Sequence, residues 1–499
     1  MLPDDVLLEI FDLYVDEDLD KYEYYKTEIE VWQTLVHVCC RWRRVVFGSP
    51  RRLNLRLVCT SKTPARDTLD VWPSLPLLLR VQDSNPTEDV DEILAVLERS
   101  DRIVKIKLSS VNGSNSEIVL AAMQVPFPEL TVLLLHGDLG MVSVLPDSFL
   151  GGSAPRLQVL WLSRIPFPGL PKLLLSATHL VDLRYLNIPH SGYISPEAIV
   201  AVLSTLTSLK DLALGFESPQ SRPDWANRRL PPLTRSVLPV LTFFWFKGAC
   251  EYLEDVVTRI DAPRLNNLDI TFFNQIVFDT PRFIQFISRS PALETFEKAL
   301  VVFEHGAASV DLSSSQTTGY GGDFNVKIPC MELDWQISSM EQVCTSCLPP
   351  LSMLEDLYIY ERPYSQPVWK DNIENTLWLE LLRPFPAVKN LYLSVEFARH
   401  IVPALQELIG GRATEVLSTL QNIFLEELQP SGIVQEGIRQ FIATRQVTSH
   451  RVAVPRWDNS KQDIVGFERR LPPSFLLMFR FSYLPLPIVL CARCFLASL

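Results

Sequence analysis

A short apolar pattern that recurs through the middle of the chain constrains its fold more than any other feature. The pattern is a leucine, two residues, a second leucine, one residue, and then a leucine or isoleucine. Neighbouring copies are 26 or 27 residues apart over the first four, and the fifth follows after 56 residues, about two further periods. A chain of 499 residues exceeds one ordinary hydrophobic core, so the repeat predicts an array that grows along one axis. Copies begin at Leu130, Leu157, Leu183, Leu209 and Leu265, and more widely spaced ones at Leu354, Val388 and Leu420.

The period and the segments between copies predict what each unit contains. Periods of this length are typical of leucine-rich repeats. Helical patterns at 196–206 and 281–288 each open with a proline, which suits the first turn of a helix. The expected fold class is therefore α/β: a leucine-rich-repeat solenoid, with a curved parallel sheet and outer helices. The predicted organisation is a helical module at 1–50, a linker and N-terminal solenoid cap at 51–100, the solenoid at 101–463 with insertions near 216–240 and 304–330, and an atypical apolar tail at 464–499.

Side-chain alternation along a strand separates residues that face the core from residues that face out. In each copy the leucines are expected to point inward. The outward set combines aromatic rings, which supply contact area, with amides and a carboxylate, which form directional hydrogen bonds. It predicts a wall on the concave face that binds a target protein, unless loops fold over the aromatic residues and bury them. The wall residues are Trp161, Tyr185, Asn187, Asp269, Tyr358, Tyr360, Tyr392 and Phe424.

The first 50 residues predict a separate small helical module. Pro3 suits the first turn of a helix, and Asp4 and Asp5 place negative charge where the helix dipole favours it. Three apolar stripes at helical spacing indicate about three short helices. A module of this size buries its apolar surface poorly, so part of that surface is expected to bind a partner. The stripes are Leu7, Ile10, Phe11 and Tyr14; Trp32, Leu35, Val36 and Cys39; and Trp42, Val45 and Val46.

The module resembles an F-box, and the irregular repeat, which mostly lacks an asparagine after each strand, is similar to that of fungal F-box proteins. The resemblance rests on a leucine-proline start, an apolar first helix, and the stretch 38–43, which reads valine, cysteine, cysteine, arginine, tryptophan, arginine. The gap at 16–30 between the first two helices is longer than the family usually shows. The resemblance implies binding to the SKP-type linker subunit of a cullin ubiquitin ligase; alternatively, the helices only cap the solenoid. The implied linker-binding residues are Leu2, Pro3, Leu7, Ile10, Phe11, Val38, Cys39 and Trp42.

The resemblance further implies a substrate-receptor adaptor of an SCF-type ligase, in which the repeats bind an unknown target protein. The alternative is a leucine-rich scaffold that works without a ligase. A third possibility is an enzyme whose site is assembled from distant residues such as Asp269 and Asp356. The sequence contains no Gly-x-Ser-x-Gly elbow, phosphate-binding glycine loop or His-Glu-x-x-His helix. We therefore expect a chain that is not an enzyme and needs no cofactor.

Composition limits the partners and the compartment. A net charge of −12 would repel a polyanion, so nucleic acid is not an expected partner. Nine scattered cysteines and a start without a signal peptide predict the cytoplasm, the nucleus or both. Cys344 and Cys347 have metal-ligand spacing, as do Cys491 and Cys494. The two pairs lie far apart in sequence, and no metal site is expected.

The end of the chain departs from the repeat. Residues 475–499 are strongly apolar, which raises the possibility of a membrane anchor. Arg480 and Arg493 lie within the run, and Pro485 and Pro487 would break its helix. Because both features oppose stable insertion, membrane association is not expected.

Overall fold

The structure is a computed structural model that divides into two compact units. Unit 1 comprises the described residues of Met1–Glu294, Val326–Cys330 and Gln342–Pro349, and unit 2 those of Thr295–Asn325, Met331–Glu341 and Pro350–Leu499. The tail predicted at 464–499 lies outside the described residues. The described residues are 2–16, 31–50, 52–60, 64–72, 74–81, 90–109, 113–137, 144–219, 235–273, 278–314, 323–361, 373–408, 415–425 and 432–447.

Unit 1 alternates short strands with short helices, as the repeat predicts. Its main strands lie side by side in the order β1-β2-β3-β4-β5-β6-β7-β9-β11, and every neighbouring pair is parallel. The small strands β8 and β10 form a separate parallel pair. The strands are β1 (Leu57–Thr60), β2 (Leu77–Val81), β3 (Ile103–Ser109), β4 (Val132–His136), β5 (Val159–Ser163), β6 (Asp182–Ile188), β7 (Asp211–Phe216), β8 (Ser236–Val237), β9 (Phe243–Gly248), β10 (Ile260–Asp261) and β11 (Asn267–Phe272). The helices are α1 (Asp4–Asp16), α2 (Val31–Val36), α3 (Cys40–Gly48), α4 (Ala65–Val71), α5 (Val90–Leu97), α6 (Gly113–Ala122), α7 (Leu170–Leu174), α8 (Pro196–Leu203), α9 (Cys250–Val257) and α10 (Pro281–Ile287).

The leucines of successive copies meet in register and form the core. Leu133 of β4 lies beside Leu160 of β5, and Leu135 lies beside Leu162. All four are buried. Helices cover this face of the sheet, since the ring of Phe286 in α10 lies 6.5 Å from that of Phe244 in β9. The predicted repeat fold is therefore confirmed. We call the face of each unit's strands opposite to these leucines the outward face.

The predicted copy that begins at Leu183 is out of register by three residues. Leu183 pairs with Leu160 and Tyr185 with Leu162. The true copy therefore begins at Leu180, and Tyr185 occupies its last inward position. The prediction that Tyr185 faces outward is wrong, because its side chain is only 1% exposed.

A bulge in β6 explains this error. The pairing of β6 with β7 shifts between Tyr185 and Ile188, and Asn187 within the shift has a positive φ of 49°. Asparagine tolerates this left-handed conformation better than most residues. Buried Leu186 and Ile188 around the bulge mimic the leucine pattern in the sequence. Asn187 itself is half-buried.

Two stretches of sequence contain strands of the repeat that the leucine pattern missed. Phe244 of β9 lies beside Leu212 of β7 on one side and Leu268 of β11 on the other. A copy beginning at Leu241 therefore occupies the 56-residue interval, with phenylalanines in place of leucines. β1 and β2 also pair in parallel with each other, within the segment 51–100.

A carboxylate fixes the junction of α9 and α10. Glu254 of α9 accepts hydrogen bonds from the backbone N–H groups of Arg282 and Phe283, at 3.1 and 2.6 Å. These N–H groups lie in the first turn of α10 and have no partner within the helix. Burial raises the pKa of the Glu254 carboxyl to about 7, although the two hydrogen bonds act in the opposite direction. The capping carboxylate is therefore close to its titration point at neutral pH.

Unit 2 combines a parallel run with one antiparallel hairpin. β12 and β13 pair antiparallel around a turn in which Gly306 has a φ of 87°, which glycine adopts without strain. The sequence did not predict this hairpin. β12, β15, β16 and β17 then pair in parallel in that order. The elements are β12 (Lys298–Glu304), β13 (Ala307–Ser313), β14 (Phe324–Pro329), α11 (Leu333–Ser346), β15 (Asp356–Glu361), α12 (Asn375–Leu382), β16 (Asn390–Leu393), α13 (Val395–Gln406), β17 (Asn422–Leu425) and α14 (Gly432–Val447), of which β14 and α11 are divided between the units.

The later copies of the pattern are confirmed in unit 2. Leu357, Leu391 and Ile423 lie beside one another in β15, β16 and β17, and all are buried. Trp378 of α12 is completely buried against the ring of Phe397, at 5.6 Å between centroids. Within the described part of the chain, no helix combines the length and apolarity needed to cross a membrane.

Candidate protein-binding surfaces

The first candidate surface lies on the N-terminal module, where α1, α2 and α3 pack together as predicted. Leu7 and Phe11 of α1 point into the module and are 4% and 0% exposed. The ring of Phe11 lies 4.8 Å from that of Trp42, edge to face. The prediction that Leu7 and Phe11 bind a linker subunit is therefore corrected, since both side chains form the core of the module and present no surface.

A second apolar face of α1 points to solvent. Its residues recur at intervals of four, three and one positions, which places them on one side of a helix. Leu2 at one end and Val38 beyond α2 are exposed in the same way, and the exposed fractions of the set lie between 38% and 71%. We call this set the exposed stripe. It consists of Leu2, Val6, Ile10, Leu13, Tyr14 and Val38.

Ion pairs hold α1 against the rest of the module. Arg41 of α3 binds Asp4 at 2.6 Å and also donates to the backbone carbonyl of Leu2. Arg52 pairs with Glu9 and with Asp12, the latter at 3.3 Å. These pairs are largely exposed, so solvent screens them and each contributes little to stability. They link α1 to α3 and to the segment that follows α3.

The module is joined to the repeats through a buried tryptophan. The indole N–H of Trp32 donates to the backbone carbonyl of Arg56, at 2.9 Å, immediately before β1. Its ring lies 5.4 Å from that of Trp72, edge to face. Trp32 is 1% exposed. The exposed stripe is therefore carried on a module that is packed against the first strand.

The remaining predicted linker-binding residues differ in how far they are exposed to solvent. Pro3, Val38 and Cys39 are exposed, and Trp42 is half-buried. The sulfur of Cys39 accepts the backbone N–H of Trp42 at 3.5 Å, so it caps α3. The predicted linker-binding set did not include Val6 and Leu13, although their helical spacing from Ile10 could have identified them.

The second candidate surface is the outward face of unit 1. Trp161 of β5 is half-buried there, and its indole N–H donates to the carboxylate of Asp182 at 3.0 Å. The same carboxylate binds Arg184 at 2.9 Å, and the guanidinium carbon of Arg184 lies 4.2 Å from the centre of the Trp161 ring. Arg184 was missed because the misregistered copy put Tyr185 in its place. Asp182 and Arg184 together hold the tryptophan in one orientation.

Farther along this face, Trp245 of β9 lies beside Asp269 of β11. Trp245 is 5% exposed and packs over the backbone of β7. A side chain at Gly215 would bring its Cβ within 2.5 Å of the Trp245 ring, so only glycine fits there. Asp269, a predicted wall residue, is half-buried at an outward position. Trp161 and Asp269 thus occupy outward positions of their strands, whereas Tyr185 points into the core.

Tyr185 instead holds two loops behind the sheet. Its hydroxyl accepts the backbone N–H of Phe167 at 2.9 Å and donates to the carbonyl of Ile165 at 3.1 Å. The carbonyl of Gly192 lies 3.3 Å away, and a Cβ at Gly192 would come within 2.6 Å of the hydroxyl. Burial raises the pKa of this hydroxyl well above its usual value. Tyr185 is a core residue with a satisfied hydroxyl.

The third candidate surface is the outward face of unit 2, which carries a stack of three aromatic rings. Tyr358 and Tyr392 lie 4.1 Å apart between ring centroids and are 9° from parallel. Tyr392 and Phe424 lie 4.4 Å apart and are 7° from parallel. Burial and the nearby Asp356 raise the pKa of Tyr392. We call Tyr358, Tyr392 and Phe424 the aromatic ladder.

A ladder of amides runs beside the rings. The side-chain amide of Asn390 donates to Asp356 at 2.7 Å, and that of Asn422 donates to Asn390 at 2.7 Å. Tyr360 lies at the next outward position of β15 and is half-buried. The predicted wall residues Tyr358, Tyr360, Tyr392 and Phe424 therefore share one face, as expected from their spacing.

The described residues offer no group of three or more His, Cys, Asp or Glu placed to hold a metal ion. Cys344 and Cys347 are buried, and burial raises the pKa of the Cys347 thiol to about 12. A thiol of this kind stays protonated at neutral pH.

Comparison with known proteins adds little to this description. No family model matches the chain, and no curated protein matches it. The crystal structure of the leucine-rich repeat-containing protein LegL7 from Legionella pneumophila matches over 78% of this chain and 97% of that chain, at 11% sequence identity and a TM-score of 0.26. The repeat assignment therefore rests on the strands and their register.

Proposed function

We propose that this chain is a non-enzymatic protein-interaction adaptor: the exposed stripe binds the SKP-type linker of a cullin ubiquitin ligase, and the outward faces of the repeats bind a target protein. In this role the chain brings the target close to a separate conjugating enzyme, which performs the chemistry. A chain with this role would act in the cytoplasm, the nucleus or both.

The exposed stripe carries the proposal. α1 buries one apolar face in its own module and leaves a second one in solvent. Exposed apolar residues along one side of a helix on a small module are typical of a protein-binding site. The resemblance to an F-box is what selects a linker subunit as the occupant, and Leu2, Ile10 and Val38 are the stripe residues that this resemblance had already named.

The outward faces support the second half of the proposal. Trp161 is fixed by Asp182 and Arg184, and the aromatic ladder is fixed by its own stacking. Rigid aromatic side chains bind partners at a low cost in conformational entropy. Both surfaces lie on strands, where the backbone holds them in place.

Co-purification of the full chain with a SKP-type subunit tests the linker contact. Ile10→Asp would place a charge inside the docked apolar surface, where a desolvated carboxylate costs several kcal/mol. We expect it to lower the affinity at least about 100-fold. Because Ile10 is 45% exposed in the free chain, the substitution leaves the fold intact.

A matched control is Ile118→Asp in α6, where the isoleucine is 49% exposed. This variant should bind the linker as well as the unmodified chain. Equal binding by the Ile10 and Ile118 variants would show that the exposed stripe is not the docking site. Failure of the unmodified chain to bind any SKP-type subunit would contradict the ligase role and leave the scaffold alternative.

A further inference from the structure

The parallel run of unit 2 ends at β17, which pairs with β16 on one side. Within the described part of the chain, no strand pairs with the other side of β17. An edge strand presents backbone N–H and C=O groups that can pair with another extended chain. The outer edge of β17 is therefore a place where a partner can extend the sheet.

The aromatic ladder and the ladder of amides also end at β17. Asn422 donates to Asn390, but no group among the described residues donates to the side-chain oxygen of Asn422. Phe424 stacks on Tyr392 at 4.4 Å, and no second ring in the described ranges lies against its other face. Asn422 and Phe424 are both half-buried. The last strand thus presents an amide acceptor and an aromatic face at successive outward positions.

The three strands of the ladders show what a further strand requires. In one common register, β15 reads Asp-Leu-Tyr-Ile, β16 reads Asn-Leu-Tyr-Leu and β17 reads Asn-Ile-Phe-Leu. The first and third residues form the two ladders. The second and fourth point into the core, where Ile423 and Leu425 are buried. A parallel strand with an amide side chain first and an aromatic ring third would therefore continue both ladders.

We propose that the outer edge of β17 binds an extended segment of the target protein as a further parallel strand. In that segment an asparagine or glutamine stands two residues before an aromatic residue. Its amide donates to Asn422, its ring stacks on Phe424, and its alternate residues are apolar. Main-chain hydrogen bonds supply the affinity, and the two side chains supply the specificity. The inference rests on the proposed function, since it takes the repeats as the target-binding part.

The chemistry of the other possible occupants favours a separate protein. A second copy of the chain offers the strand β1, whose outward residues Val58 and Thr60 carry neither an amide nor a ring. Two β17 edges related by a twofold axis would run antiparallel, which does not preserve the parallel register of the ladders. In the sequence 448–499, no asparagine or glutamine stands two residues before a phenylalanine, tyrosine or tryptophan.

Fluorescence anisotropy with the full chain and labelled synthetic peptides tests the proposal. The first peptide contains Asn-Leu-Tyr-Leu between flanking glycines and serines. The second contains Asn-Tyr-Leu-Leu, which has the same composition but puts the amide and the ring on opposite faces of a strand. We expect the first peptide to bind and the second to bind at least about tenfold more weakly. This comparison needs no variant, so it decides the proposal even where a substitution lowers the fold content measured by circular dichroism.

The variant Phe424→Leu tests the stacking contact. It keeps an apolar side chain but removes the ring face, so it should weaken binding of the first peptide about three- to tenfold. Phe47→Leu is the matched control, because Phe47 is also a half-buried phenylalanine but belongs to α3 in the N-terminal module. This control should bind the peptide as the unmodified chain does.

A double-mutant cycle tests the amide contact. Asn422→Ala removes the acceptor, and a peptide that contains Ala-Leu-Tyr-Leu removes the donor. Each change alone should weaken binding about three- to tenfold, and the second change should add little to the first. Fully additive losses would show that the two amides are not in contact and would overturn the assigned register.

Equal binding of the first two peptides, no binding of the first, or full binding by Phe424→Leu would overturn the proposal. Dimers that disappear in Phe424→Leu would assign the edge to a second copy and overturn it as well. Cross-links from Gln421→Cys to residues 448–499, without peptide binding, would overturn it in favour of the chain's own C-terminal segment.

The same preparations are assayed for co-purification with the SKP-type subunit, which separates this inference from the ligase role. Loss of the linker contact with retained peptide binding would contradict only the ligase role. Retained linker contact without peptide binding would contradict only the site at the edge of β17.

Discussion

Replacing Tyr185 with phenylalanine removes one oxygen atom from the interior of unit 1 and separates two interpretations of this residue. As a wall residue, Tyr185 would contribute to target binding and little to stability. In the structure its hydroxyl is buried and joins the backbone N–H of Phe167 to the carbonyl of Ile165. The substitution should therefore act on stability and leave binding surfaces unchanged.

The size of the effect follows from the groups left without a partner. The Phe167 N–H loses its acceptor and the Ile165 carbonyl loses a donor, both in a buried site. Each unsatisfied group costs about 1 to 3 kcal/mol. We expect Tyr185→Phe to lower the free energy of unfolding by about 2 to 4 kcal/mol. The lower value applies if the Ile165 carbonyl accepts another hydrogen bond in the variant.

Urea unfolding followed by circular dichroism measures this change, and hydrogen exchange at Phe167 locates it. Tyr14→Phe is the control, because Tyr14 is 50% exposed and its hydroxyl is accessible to water. That variant should remain within about 0.5 kcal/mol of the unmodified chain. A Tyr185 variant of unchanged stability but weakened target binding would refute the register assigned to β6.

Three other measurements follow from the buried groups and the aromatic ladder. Burial raises the pKa of the Glu254 carboxyl to about 7 from its ordinary value of 4.5, so between these pH values the folded state holds a proton that the unfolded state has lost. Stability should therefore fall by up to roughly 3 kcal/mol as pH rises from 4.5 through 7 and should then level off. Glu254→Gln should remove this dependence in urea titrations at several pH values. Tyr392→Ala breaks both ring contacts of the aromatic ladder, whereas Tyr358→Ala breaks only one. At about 0.5 to 1.5 kcal/mol per contact, Tyr392→Ala should raise the rate of hydrogen exchange in β15 to β17 more than Tyr358→Ala does. Equal effects of the two variants would contradict a stabilising contribution from ring stacking. Burial raises the pKa of the Cys59 thiol to about 11, so iodoacetamide at pH 8 should modify the exposed Cys40 before Cys59. Early modification of Cys59, detected by mass spectrometry, would contradict its burial.

The repeat could be predicted from sequence because the signal is periodic and chemically uniform. Leu133 and Leu160 meet in adjacent strands as the spacing requires, and so do Leu391 and Ile423. The copy at Leu241 was missed because phenylalanine replaced leucine in β9, although the 56-residue interval had indicated room for it. Alternation along the strands also placed the aromatic ladder on one face.

Tertiary structure decided what local pattern left ambiguous. Leu183 and Leu186 satisfy the repeat pattern as well as the true pair does, and only pairing with β5 shows that Tyr185 belongs inside. Phe11 and Ile10 are equally apolar neighbours on α1, yet one is buried against Trp42 and the other is exposed. A sequence specifies which residues favour burial, because hydrophobicity and spacing are properties of the chain itself. Which of several competing residues becomes buried depends on the surfaces brought against them, and those surfaces come from residues distant in the sequence.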